Sequence, residues 1–164
     1  VKLKNKNIWS VVMMIMIVAF DQITKYVAKS YLYPDKAKDF IKGFIEFRYA
    51  ENTGVAFSMF SGGRWIFIIL TASVAIGILF YMFKKAQNNL WLYWTLGVLA
   101  SGAIGNIIDR VYLGYVIDFI NPTFVDFAVF NIADCAVTLG TISLIAYLLS
   151  DMFKKENKKE SKDE

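Results

Sequence analysis

Apolar and polar positions alternate along this chain in long blocks. Ile8–Phe20 is almost wholly apolar, and the block runs on through Asp21-Gln22-Ile23-Thr24-Lys25 to about Ala28. Trp65–Phe83 and Leu90–Ile108 contain no charge, and Phe127–Ser150 is interrupted only by Asn131 and Asp134. A helix needs about 20 apolar residues to cross a bilayer, so the pattern predicts four membrane-spanning helices. Between the first two blocks, Glu46 and Arg48 alternate with Ile45, Phe47 and Tyr49, which predicts a short strand. Glu51-Asn52-Thr53-Gly54 then predicts a turn, with Gly54 free to take a positive φ. The expected fold is an all-α integral membrane protein with a small extracytoplasmic β-element. It divides into a four-helix transmembrane domain, residues 1–153, and a charged, disordered cytoplasmic tail, residues 154–164.

Composition agrees with this reading. Of the 164 residues, 57% are hydrophobic and 20% charged, too oily for a soluble domain of this length. The net charge of +4 does not indicate nucleic acid, because the basic residues lie at the ends and beside apolar blocks. Lys2, Lys4, Lys6, Lys84, Lys85, Lys154, Lys155, Lys158, Lys159 and Lys162 fall in the two tails and the second link. The two longer connecting segments carry basic residues at lower density, so both termini are expected in the cytoplasm. The lysines before the first block resemble the start of a signal peptide. No small-residue cleavage site follows them, so an uncleaved anchor is expected.

The chain contains no histidine. That excludes Ser–His and Cys–His nucleophile pairs and any histidine-ligated metal site. The single cysteine, Cys135, cannot form an internal disulfide. Chemistry at membrane depth must therefore use carboxylates, lysine, tyrosine or hydroxyls.

Polar residues recur at one end of the spans. Asp21 and Lys25 are i,i+4 neighbours and can form an internal ion pair. Gly102, Asn106 and Arg110 share one helix face, with Asp109 beside it. Gly102 and Gly105 suit close helix packing in lipid, whereas Arg110 can pair with a carboxylate or an anionic head group. Asp118 lies in a segment expected to be a loop. Asn131 and Asp134 are i,i+3, about one turn inside the fourth span, where an unpaired aspartate suggests function. The chain between Asp118 and Asp134 can fold back through Pro122, bringing the two carboxylates together. Such a pair shares a proton, so one member can act as base and the other as acid in hydrolysis. Two other readings stay open on these residues: a small proton-coupled transporter relaying protons through Asp21 and Asp134, and a structural subunit. The absence of an internal repeat counts against the transporter.

Taken together, "DQITK", "ENTGVAFS", "GNIIDR", "VIDF" and "FNIADCAVTLG" resemble the motifs of the lipoprotein signal peptidase (signal peptidase II) family in order and approximate spacing. The resemblance covers nearly the whole chain. One departure is Ser101-Gly102, where the family often has two glycines. The resemblance implies a membrane aspartic endopeptidase, without metal or organic cofactor, in the bacterial cell membrane. It implies a site near the outer face that cuts prolipoproteins just before a diacylglyceryl-modified cysteine. By motif matching, Asp118 and Asp134 are the catalytic pair and Asn52, Asn106, Arg110 and Asn131 line the site. Asp21 supports them, and Lys25, Gly54, Gly102, Gly105 and Asp109 join it as structural residues. The implied partners are the lipidated substrates and membrane lipid, with no nucleic acid.

Overall fold

The computed structural model describes residues 5–34, 36–54 and 63–163. Four long helices run over Lys6–Leu32 (α1), Gly63–Lys84 (α2), Leu90–Tyr112 (α3) and Ile132–Asp163 (α4). All four carry stretches long and apolar enough to cross a membrane, and the chain is a multi-pass membrane protein. The helix α3 is central, with 61% of its most apolar window buried against 17% for each of the others. Its inner face joins Met82 and Ala86 through Leu92, Tyr93, Leu96 and Leu99. The outer faces of α1, α2 and α4 instead leave Ile15, Ile69, Leu70 and Ile142 exposed, as lipid-facing surfaces require.

Close approach to α3 depends on its small residues. A methyl at Gly102 would stand 2.5 Å from the Ala133 carbonyl oxygen, and one at Gly105 would stand 2.7 Å from an Asp21 oxygen. Those glycines therefore set the spacing of α3 from α4 and α1. Ser101, where the motif resemblance leads to a second glycine, folds its hydroxyl back onto the Gly97 carbonyl at 2.7 Å. The departure thus costs no buried unpaired polar group.

Three strands, Ala37–Ile41 (β1), Ile45–Asn52 (β2) and Val116–Pro122 (β3), form an antiparallel sheet in the order β1-β2-β3. The sequence pattern anticipates β2 alone. Asp118 lies on β3, not in a loop, opposite Ala50 of β2. The pattern hides β3 because Val116, Ile117, Asp118 and Phe119 are all buried, which removes the usual alternation. Tyr49, Ile117 and Phe119 pack against Ala28 and Leu32 of α1 and fasten the sheet to the bundle.

The fourth helix begins later than expected. Phe127–Phe130 precede it in extended or irregular backbone, and Phe130 bridges back to Ile120. Asn131 explains the late start, because its side chain caps the Asp134 N–H of α4. The helix then continues without interruption into the charged end of the chain, where disorder was expected, and reaches Asp163. Part of the "ENTGVAFS" motif, residues 55–58, lies outside the described residues.

Candidate active site

The amino terminus of α4 organises the site. Asn131 accepts a hydrogen bond from the Asp134 backbone N–H at 2.9 Å. Asp134 accepts in return from the Asn131 N–H at 3.2 Å. This reciprocal arrangement is a capping box, with asparagine and aspartate in the two roles. It corrects the expected depth of Asp134, which sits in the first helical turn rather than a turn inside the span. Negative charge is favoured there by N–H groups that have no partner within the helix and by the helix dipole.

Asn131, itself fully buried, links the two carboxylates. Its Nδ2 donates to Asp118 Oδ1 at 2.6 Å while its backbone N–H donates to Asp134. Asn52 Nδ2 donates to the other Asp118 oxygen at 2.9 Å, and Asn106 Nδ2 donates to Asp134 Oδ1 at 2.8 Å. Each carboxylate oxygen therefore has one fixed donor. The amide orientations follow from their surroundings. Asn106 Oδ1 faces the donors Lys25 Nζ and Asn131 Nδ2, and Asn52 Oδ1 accepts from the Gly54 N–H. Neither amide can turn over without setting donors against donors. Gly54 completes that turn at φ +72°, as the sequence predicts.

Burial pushes the Asp118 carboxyl up to about 6, and the nearby Asp134 charge adds to the effect. The Asn52 and Asn131 donors work against this rise. Asp118 thus holds its proton up to about pH 6, well above the ordinary carboxylate range. Asp134 is only half-buried, which leaves it reachable by water.

Behind the pair lies a buried ion cluster. Lys25 Nζ contacts Asp21 at 2.8 Å and Asp109 at 3.1 Å, and it donates to Asn106 Oδ1 at 3.0 Å. Asp21 also accepts from the Ala133 N–H of α4 at 2.8 Å, and Asp109 accepts from the Ile117 N–H of β3 at 3.0 Å. The expected i,i+4 pair is therefore present, but Lys25 serves two carboxylates, one of them from α3. The cluster ties α1, α3, α4 and β3 together one residue away from each carboxylate of the pair.

Motif reasoning did not single out Gln22. Its Nε2 reaches Asp109 Oδ1 at 3.0 Å and both Asp21 Oδ2 and the Gly105 carbonyl at 3.2 Å. Its polarity inside an apolar block was the available signal. Arg64 was also missed. Its guanidinium donates to the Arg110 and Val111 carbonyls and so satisfies the end of α3. Arg110 lies over the Phe67 ring and, among the described residues, forms no ion pair.

A family model for signal peptidase (SPase) II matches residues 13–150. The chain belongs to the signal peptidase II family. It is 39% identical over 138 residues to the lipoprotein signal peptidase of Streptococcus pyogenes serotype M5 (strain Manfredo), covering 84% of this chain and 91% of that one. A second lipoprotein signal peptidase, from S. pyogenes serotype M3 (strain ATCC BAA-595 / MGAS315), is 38% identical over the same shares. Two solved structures described as bacterial membrane enzymes share the fold. One has a TM-score of 0.87 and 35% identity, covering 92% of this chain and 99% of that one. The other has a TM-score of 0.82 and 36% identity, covering 89% and 90%. Membership of signal peptidase II makes the protein a peptidase and gives no support to the transporter reading.

Cys135 adjoins Asp134 in this signal peptidase II chain but lies about 100° around the helix from it. With no histidine to activate the thiol, Cys135→Ala should retain most activity in a peptide-cleavage assay. Loss of nearly all turnover at normal expression would point back to a thiol mechanism.

Proposed function

We propose that the protein is a membrane aspartic endopeptidase that removes the signal peptide from prolipoproteins, cutting just before a diacylglyceryl-modified cysteine. The observation that carries the aspartic mechanism is Asn131, which donates to Asp118 and Asp134 at once. In this reading a water binds between the two carboxylates. Asp134 takes a proton from that water as the water's oxygen attacks the scissile carbonyl carbon. Asp118, holding its proton, donates it to the carbonyl oxygen. The proton gained by Asp134 then passes to the leaving amine as the C–N bond breaks, and one hydroxyl of the tetrahedral intermediate returns its proton to Asp118 as the new carboxylic acid forms. Asn52, Asn106 and Asn131 hold the carboxylates in place and line the site. Arg110 binds substrate.

The substrate's lipid supplies much of its binding, at about 0.8 kcal/mol per buried CH₂. Two acyl chains then outweigh the peptide contacts and set the position of the scissile bond. Purified protein should cut a diacylglyceryl-modified peptide and leave the same peptide without lipid essentially intact. Equal turnover of the two would refute lipid-directed cleavage, while cleavage of neither would remove the peptidase assignment for this substrate class.

The basic residues of the two tails and the second link support a cytoplasmic location for both termini, with residues 154–164 as a cytoplasmic tail and the carboxylate pair near the outer face. In a Cys135→Ala background, Asp126→Cys should react with an impermeant thiol reagent added outside the cell. Asn88→Cys should not. The reverse pattern would invert the topology.

A further inference from the structure

We propose that the cleft between the end of α1 and the sheet binds one anionic phospholipid, at a site separate from the carboxylate pair. The cleft encloses about 600 Å³, within the range of about 300–1,000 Å³ usual for ligand sites. Val27 and Leu32 of α1 form one apolar wall, and Phe47 of β2 and Phe119 of β3 form the other. Lys36 and Lys38 stand at its rim, both exposed, and among the described residues neither forms an ion pair. An apolar interior beneath two exposed ammonium groups matches an acyl chain carrying an anionic head group.

The depth of the cleft favours a lipid as well. At about 1.5 Å per residue, α1 is some 40 Å long, whereas the hydrocarbon layer is about 30 Å thick. Its last turns therefore pass through the head-group layer. Exposed Tyr26, Tyr31 and Tyr33 mark that level in the usual interfacial manner. Tyr31 also lines the cleft. The occupant is distinct from the substrate's lipid on two grounds. Neighbouring residues on a strand point to opposite faces, so Phe119 faces the cleft while Asp118 faces Asn52 and Asn131. A diacylglyceryl group on a cysteine is also uncharged and offers the two lysines no anionic partner. A phospholipid here joins α1 to β1 and β3, and so steadies the strand that carries Asp118.

The test uses the full chain in mild detergent, with native mass spectrometry and thermal unfolding as readouts. Phosphatidylglycerol, phosphatidylcholine and glycerol 1-phosphate are added separately. One phosphatidylglycerol should be retained and should raise the melting temperature, with no comparable effect of the other two. Lys36→Gln with Lys38→Gln should weaken retention by about 25-fold, since each lysine near an anionic head group contributes a factor of about five. Lys36→Arg with Lys38→Arg should preserve retention, which separates lost charge from a folding defect. Equal retention of phosphatidylcholine, or undiminished retention by the glutamine pair, would overturn the proposal. Equal stabilisation by glycerol 1-phosphate alone would make this a phosphate site and not a lipid site.

Discussion

Replacing either Asp118 or Asp134 with asparagine should lower turnover by at least about 10²–10⁴-fold, the usual contribution of one general acid or base. Asparagine has nearly the shape of aspartate but can neither take the water's proton nor give one up. The surrounding amides add a structural consequence. Asn52 and Asn131 both present N–H donors to Asp118, and their carbonyls are already committed to the Gly54 and Asp134 N–H groups. An asparagine at 118 must set its own NH₂ against one of them, at a cost of about 1–3 kcal/mol. The variant should still insert and fold with a modestly lower melting temperature. In the proposed mechanism the carboxylates act as a unit, so the double variant should be scarcely slower than either single one. Asp126 is exposed and outside the pair, so Asp126→Asn should remain active. Full turnover in both single variants would end the aspartic assignment.

The same pair sets a pH dependence. The Asp118 carboxyl is raised to about 6 from an ordinary 3.8, chiefly by burial. Its protonated form is the one the proposed mechanism uses as acid, so kcat/KM should fall as pH rises through about 6. The sign is the same for stability. A group whose pKa is raised on folding adds stability that is complete below its unfolded value and is lost as pH rises through about 6. A rate profile still climbing between pH 6 and 8 would contradict the assignment of Asp118 as the acid.

The sequence revealed the spans readily because each is long and apolar, and lipid leaves such a segment few alternatives to a helix. It revealed β2 because one face is polar, and it missed β3 because Asp118 is buried among apolar neighbours. The start of α4 was misread for a related reason. Phe127–Phe130 look like lipid-facing helix, yet Asn131 and Asp134 close a capping box that stops the helix at Ile132. The pairing of Asp21 with Lys25 follows from local spacing. The contact of Lys25 with Asp109 joins residues of different helices, and helix periodicity carries no information about such a contact.

That cross-helix contact yields the largest expected loss of stability. Lys25 and both of its carboxylate partners are almost wholly buried. Removing one partner of a buried ion pair typically costs about 3–5 kcal/mol, because the remaining charge has no water to turn to. Lys25→Met leaves two carboxylates, Asp21 and Asp109, facing each other without their shared cation. It should therefore cost at least that much and sharply lower the melting temperature in detergent. Asp21→Asn should be milder. It leaves Lys25 paired with Asp109, and the new amide's carbonyl can still accept from the Ala133 N–H, so the cost is confined to the NH₂ set against Lys25 Nζ and Gln22 Nε2. Lys25→Met should also release Asn106, whose amide is held in orientation partly by Lys25 and donates to Asp134. Its activity should fall even where the protein remains folded at low temperature, whereas Asp21→Asn keeps that link. If Lys25→Met melted no lower than Asp21→Asn, the cluster would not depend on the lysine as its common counter-ion, and the positioning of Asp134 through Asn106 would lose its support.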